Sequence, residues 1–99
     1  MYYVTFYHQN PDGDPTIGDR LTEAYPRHRA YLDEFAKGGQ VWMIGTFDDP
    51  FINGSMGVFR SREAAEEFLR NDPFVTEGLV FRHELREWNP LEFPGSPTA

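Results

Sequence analysis

Two stretches of this 99-residue sequence space their apolar residues three and four apart, and each is flanked by runs of β-branched and aromatic residues. This alternation constrains the fold most, because the helical period gathers side chains on one stripe and the strand period splits them between two faces. YYVTFYH, residues 2 to 8, reads as a first strand. QNPDGDPTIGD, residues 9 to 19, carries two Pro, two Gly and three Asp and reads as loop. Leu21, Tyr25, His28, Leu32 and Phe35 then fall on one helical stripe. Pro26 belongs in a first helical turn, where its missing N–H is not needed. The helix is therefore expected to begin between Thr22 and Pro26 and to end at Gly38-Gly39.

QVWMIGTF, residues 40 to 47, is a nearly unbroken apolar run and predicts a second strand. DDPFING is a connection, and SMGVFR, residues 55 to 60, a short third strand. Ser61 is the expected N-cap of a second helix, with Glu63 in its first turn, Arg70 in its last, and Ala64, Ala65, Phe68 and Leu69 as its buried stripe. After NDPFVTEG, the segment LVFRHELREW, residues 79 to 88, alternates as a fourth strand. Residues 1–88 form one domain on this reading, and 89–99 a Pro-rich tail.

The order βαββαβ repeats one β-α-β unit. Short connections and right-handed crossovers reduce the solutions to a ferredoxin-like α+β fold, with a four-stranded antiparallel sheet in the order 4-1-3-2 and both helices on one face. The other face then needs a cover. Strand one divides into Tyr2, Val4, Phe6 and Tyr3, Thr5, Tyr7; strand two divides into Val41, Met43, Gly45 and Trp42, Ile44, Thr46. Either set leaves large apolar side chains on the uncovered side, which predicts a homodimer packed sheet to sheet.

Sixteen acidic residues against nine basic give a formal charge of −7, which disfavours nucleic acid and anionic membrane surfaces as partners. No apolar run approaches the ~20 residues of a membrane span, and the N-terminus has no basic stretch followed by a small-residue cleavage site, so a cytoplasmic protein is expected. There is no cysteine, hence no disulfide or thiolate chemistry. GxGxxG, P-loop and GxSxG patterns are absent, and no HxH or HxxxH spacing marks a metal site. No cofactor is expected.

Topology gathers polar residues at the end of the sheet where strand one finishes. His8, the start of the first helix with His28, Asp48-Asp49 and Asn71-Asp72-Pro73 all converge there. His28 shares a stripe with Leu32 and Phe35, so it points toward the sheet. Asp72 ends the second helix at the same level. A carboxylate that accepts from an imidazole N–H fixes its tautomer and frees the other nitrogen for acid or base work. His28 and Asp72 are therefore the candidate catalytic pair. His8, Tyr7, Phe47, Asp49 and Phe74 are the candidate lining for a small organic ligand. The alternative is a non-catalytic ligand-binding or accessory domain in which the pair is structural.

The segments YYVTFYH, HRAYLDEFAKGGQVWMIGTF and EAAEEFLRNDPFVTEGLVFRHELREW resemble the YCII-related family of small bacterial proteins across roughly residues 1 to 88. The resemblance implies a dimeric ferredoxin-like fold akin to the dimeric α/β barrels of muconolactone isomerases and cofactor-free monooxygenases. It also implies an active site of one histidine and one aspartate, by position His28 and Asp72, and proton-transfer or elimination chemistry on small ring-derived substrates. The long acidic first loop departs from the family's pattern.

Overall fold

The computed structural model describes residues 1–95; the last four residues of the expected tail lie outside the described residues, and residues 89–95 form no helix or strand. Four strands, β1 (Tyr2–His8), β2 (Val41–Thr46), β3 (Ser55–Phe59) and β4 (Arg82–Trp88), form one sheet in the order β2-β3-β1-β4. All neighbours are antiparallel, as the βαββαβ order requires. Two helices, α1 (Ile17–Ala36) and α3 (Arg62–Asn71), cover one face. Two short helices not foreseen in the sequence, α2 (Pro50–Asn53) and α4 (Pro73–Thr76), occupy the DDPFING and NDPFVTEG connections. Both open on an Asp-Pro step, in which proline supplies a preset φ for the first helical residue. Among the described residues, no helix is long and apolar enough to cross a membrane.

The helix α3 sits where its cap predicts. Ser61 Oγ accepts from the Ala64 N–H at 3.1 Å, and Ala64, Ala65, Phe68 and Leu69 are buried. Phe68 and Phe59, both with no exposed surface, pack with ring centroids 5.2 Å apart at the centre of the main core. Phe35 and Tyr31 of α1 close over Phe68. A second, smaller core joins Leu21 and Ala24 of α1 to Leu79. Phe74 packs against both cores and so stands between them.

Two boundaries differ from expectation by more than a residue, and one strand is irregular. The first helix starts at Ile17, about a turn and a half early. Asp14 organises that start, accepting from Thr16 N–H and hydroxyl and from Arg20 Nη1, and so supplies partners that an unaided first turn would lack. Pro26 consequently lies inside the helix, at an exposed position, and leaves one carbonyl of the preceding turn without its intrahelical partner. The last strand begins at Arg82, not Leu79, because β1 ends at His8, whose partner is Arg82, while Leu79 is buried in the small core. Finally, a bulge between Val41 and Met43 breaks the alternation of β2. Val41 and Ile44 pack toward the helices, whereas Trp42 stacks on Tyr2 across the uncovered face, 5.0 Å between centroids.

Gly54 fixes how the 47–54 connection meets the end of β1. Its φ is +78°, and a Cβ there would lie 1.9 Å from the Tyr7 carbonyl oxygen. Gly54→Ala is expected to cost more than the ~1–3 kcal/mol of a strained residue alone, since backbone must also move. A urea-unfolding midpoint equal to that of the parent protein would contradict this close approach.

Candidate active site

The Asn71-Asp72-Pro73 junction creates the site. A residue before proline is driven out of the helical region, and Asp72 accordingly adopts φ −62°, ψ 126° and ends α3. Its carboxylate then turns inward. Oδ1 accepts from the Phe74 N–H at 3.2 Å, capping α4, and from His28 Nδ1 at 2.7 Å. Oδ2 accepts from the Tyr7 hydroxyl at 2.5 Å. Asp72 is completely buried, whereas His28 retains 12% exposure. A carboxylate can only accept, so Nδ1 is the nitrogen that donates, and in the neutral ring the lone pair is on Nε2.

Phe74 lies parallel to the His28 ring at 4.0 Å with an interplanar angle of 1°. Ring position and tautomer are thus set by two neighbours from one short segment, Asp72 and Phe74. Burial, then the negative charge of Asp72 and the hydrogen bond to it, push the Tyr7 phenol above its ordinary value near 10 and keep it protonated.

His28 and Tyr7 face a cavity of about 540 Å³ between α1 and the β2–β3 side of the sheet. That volume lies within the roughly 300–1,000 Å³ common for small-molecule sites. From α1 come Leu21, Thr22, Tyr25, His28, Arg29 and Leu32, one continuous face of the helix. Ile44, Thr46 and Ser55 form the opposite wall, and Pro50 and Phe51 of α2 also line the cavity. A side chain at Gly18 would touch the Phe51 ring, so α2 meets the start of α1 there.

Of the sequence-derived candidates, the structure brings together His28, Asp72, Tyr7 and Phe74. His8, Phe47 and Asp49 do not line the cavity. His8 follows Tyr7 in an extended strand and therefore projects from the other face, where its Nε2 lies 2.6 Å from Glu84 Oε1. Phe47 is exposed just beyond β2. Asp49 takes a left-handed conformation at the start of α2, with its side chain making no cap bond. Tyr25, a residue of the His28 stripe for which the sequence allows either core packing or ligand contact, is 47% exposed and lines the cavity. Arg29, Phe51 and Thr46 were not singled out in the sequence; for Arg29 the signal is the i, i+4, i+8, i+11 spacing of Leu21, Tyr25, Arg29 and Leu32, which puts it on the same α1 face. Among the described residues, no group of three or more His, Cys, Asp or Glu side chains is placed to hold a metal ion.

The YCII-related domain model matches residues 1–89. The chain belongs to the YCII-related family. No curated protein matches it in sequence. Among solved structures, this YCII-related protein is similar to 5-chloro-2-hydroxyhydroquinone dehydrochlorinase from Burkholderia phenoliruptrix, determined in complex with 2,5-dihydroxybenzoquinone. The two superpose with a TM-score of 0.68 at 21% identity, over 90% of this chain and 94% of that one. At that identity the likeness establishes the shared ferredoxin-like fold.

Tyr7→Phe removes one partner from a fully buried carboxylate and is expected to cost about 1–3 kcal/mol or more. Because folding raises the Tyr7 value, its contribution is whole below the unfolded phenol value near 10 and is lost as pH rises above it. Urea unfolding across that range should show the parent protein losing stability more steeply than Tyr7→Phe. Equal slopes would mean the Tyr7 proton is not held by Asp72.

Proposed function

We propose that this YCII-related protein is a small cofactor-independent enzyme that moves a proton on, or eliminates a group from, a small ring-derived compound. The observation that carries the proposal is the His28 ring, oriented at 2.7 Å by a buried carboxylate and facing a cavity of ligand size. In an elimination, Nε2 takes a proton from the substrate, the electron pair left behind forms the new double bond, and the leaving group departs with its own pair. Asp72 stabilises the imidazolium so formed, and the proton then passes to water. The fold relative acts on a chlorinated hydroxyhydroquinone by dehydrochlorination, which supports a ring-derived substrate for this site.

Chloride release from 5-chloro-2-hydroxyhydroquinone and solvent proton exchange into 2,5-dihydroxybenzoquinone are suitable first assays. His28→Ala is expected to lower turnover by ~10²–10⁴ while leaving the circular-dichroism spectrum unchanged. A folded His28→Ala protein with full turnover would remove His28 from the chemistry. A parent protein that binds these compounds unchanged would move the assignment to a ligand-binding domain.

The same reading includes a homodimer. Tyr2, Trp42, Met43, Met56 and Trp88 share the sheet face that, among the described residues, no helix covers, with Met43 52% and Trp88 43% exposed. Burying such a patch against a second copy removes apolar surface from water on both. Light scattering is expected to give twice the chain mass for the parent protein and the chain mass for Met43→Asp. A monomeric parent protein would contradict the dimer.

A further inference from the structure

The acidic balance of the chain stops at the cavity. Sixteen Asp and Glu residues stand against nine Lys and Arg in the sequence, yet among the described residues no carboxylate lines the cavity. Asp72 stands behind His28 and Tyr7, with no exposed surface and both oxygens bonded. Among the described residues, Arg29 is the one lining residue with a permanent charge. An open cavity in a protein of net charge −7 that excludes every acid and includes one guanidinium is selective about the sign of what it holds.

Arg29 is also aimed. Its Nε donates to Asp33 Oδ1 at 2.9 Å in an exposed ion pair that orients the guanidinium and offsets part of its charge, while the two terminal nitrogens stay clear of that carboxylate. Its Nη1 lies 3.5 Å from the Tyr25 hydroxyl, and the Tyr25 ring is 6.0 Å from the His28 ring. Nη2 has no hydrogen-bond partner among the described residues, so the Nη1–Nη2 edge has donors to offer. A planar guanidinium edge beside a phenol hydroxyl suits an anionic oxygen, and above all a carboxylate, which accepts two parallel N–H bonds. The rest of the wall includes Leu21, Leu32, Ile44, Phe51 and Phe74, apolar surface of the kind that holds a ring.

The geometry points to an anionic ring compound as the ligand of this cavity, with its negative oxygen on Arg29 and Tyr25 and its ring between the apolar walls beside His28. Arg29 is on this account the residue that sets specificity. The inference deepens the enzymatic reading by naming a substrate class, and it rests on the cavity being the ligand site, not on turnover.

Benzoate and benzamide have the same ring and nearly the same size but differ in charge, and each can be titrated into the isotopically labelled full chain by NMR. Benzoate is expected to bind about tenfold tighter or more, the ratio that corresponds to ~1.4 kcal/mol, with shifts centred on His28, Tyr25 and Phe74. Arg29→Met should remove that preference by lowering benzoate affinity far more than benzamide affinity, and leave the fold intact, since Arg29 and Asp33 are both more than half exposed. Arg29→Lys should recover part of the preference and Arg29→Gln none. Equal affinities in the parent protein, a preference that survives Arg29→Met, shifts outside the cavity, or no benzoate binding at millimolar concentration would each overturn the inference. Its failure alongside His28-dependent turnover would remove the anion selectivity alone. A benzoate preference in a protein without turnover would remove the chemistry alone.

Discussion

The carboxylate of Asp72 has no exposed surface, and an ion in that position is tolerable only because donors from three separate elements converge on it. Tyr7 arrives from β1, His28 from α1, and the Phe74 N–H from α4. Each of these elements is placed by something else: β1 by its pairing with β3 and β4, α1 by the two cores, and α4 by the Asp72-Pro73 step that ends α3. Asp72 therefore ties sheet, first helix and second crossover to one point. Removing any one partner would strand part of a buried charge.

The solution to that burial problem is also what equips the site. A histidine that donates from Nδ1 keeps its other nitrogen available, and the Phe74 ring at 4.0 Å prevents it from turning away. Tyr7 satisfies the oxygen that His28 does not, so the carboxylate needs no water and the cavity side can remain largely apolar. Structure and proposed chemistry are linked through one residue, and the same hydrogen bonds serve both.

Much of this was legible in the sequence, and the failures are instructive. The βαββαβ order fixed the strand order because crossover handedness leaves few alternatives. His28 was legible as inward-facing from its stripe with Leu32 and Phe35, and Asp72 as a neighbour from the end of the sheet it shares. The assignment of both Tyr7 and His8 to one cavity conflicted with strand alternation, since adjacent residues point to opposite faces; only Tyr7 reaches it. The bulge that sends Trp42 to the uncovered face depends on pairing with β3, a long-range fact that the local apolar run does not encode. The early start of α1 depends on a hydrogen-bond set around Asp14, hidden in a segment whose composition reads as loop. Arg29 went unnoticed because a charged residue beside a buried stripe is ordinarily a solvated one; only the cavity gives it meaning.

The central claim is that Asp72 fixes the His28 ring with its proton on Nδ1 and a lone pair on Nε2. Long-range proton–nitrogen correlation on the isotopically labelled protein reads this directly, at a pH where the ring is uncharged. The account predicts a protonated Nδ1 and an unprotonated Nε2 for His28, with the pattern lost in Asp72→Asn. A His28 ring with its proton on Nε2, or one whose tautomer is indifferent to Asp72→Asn, would contradict it.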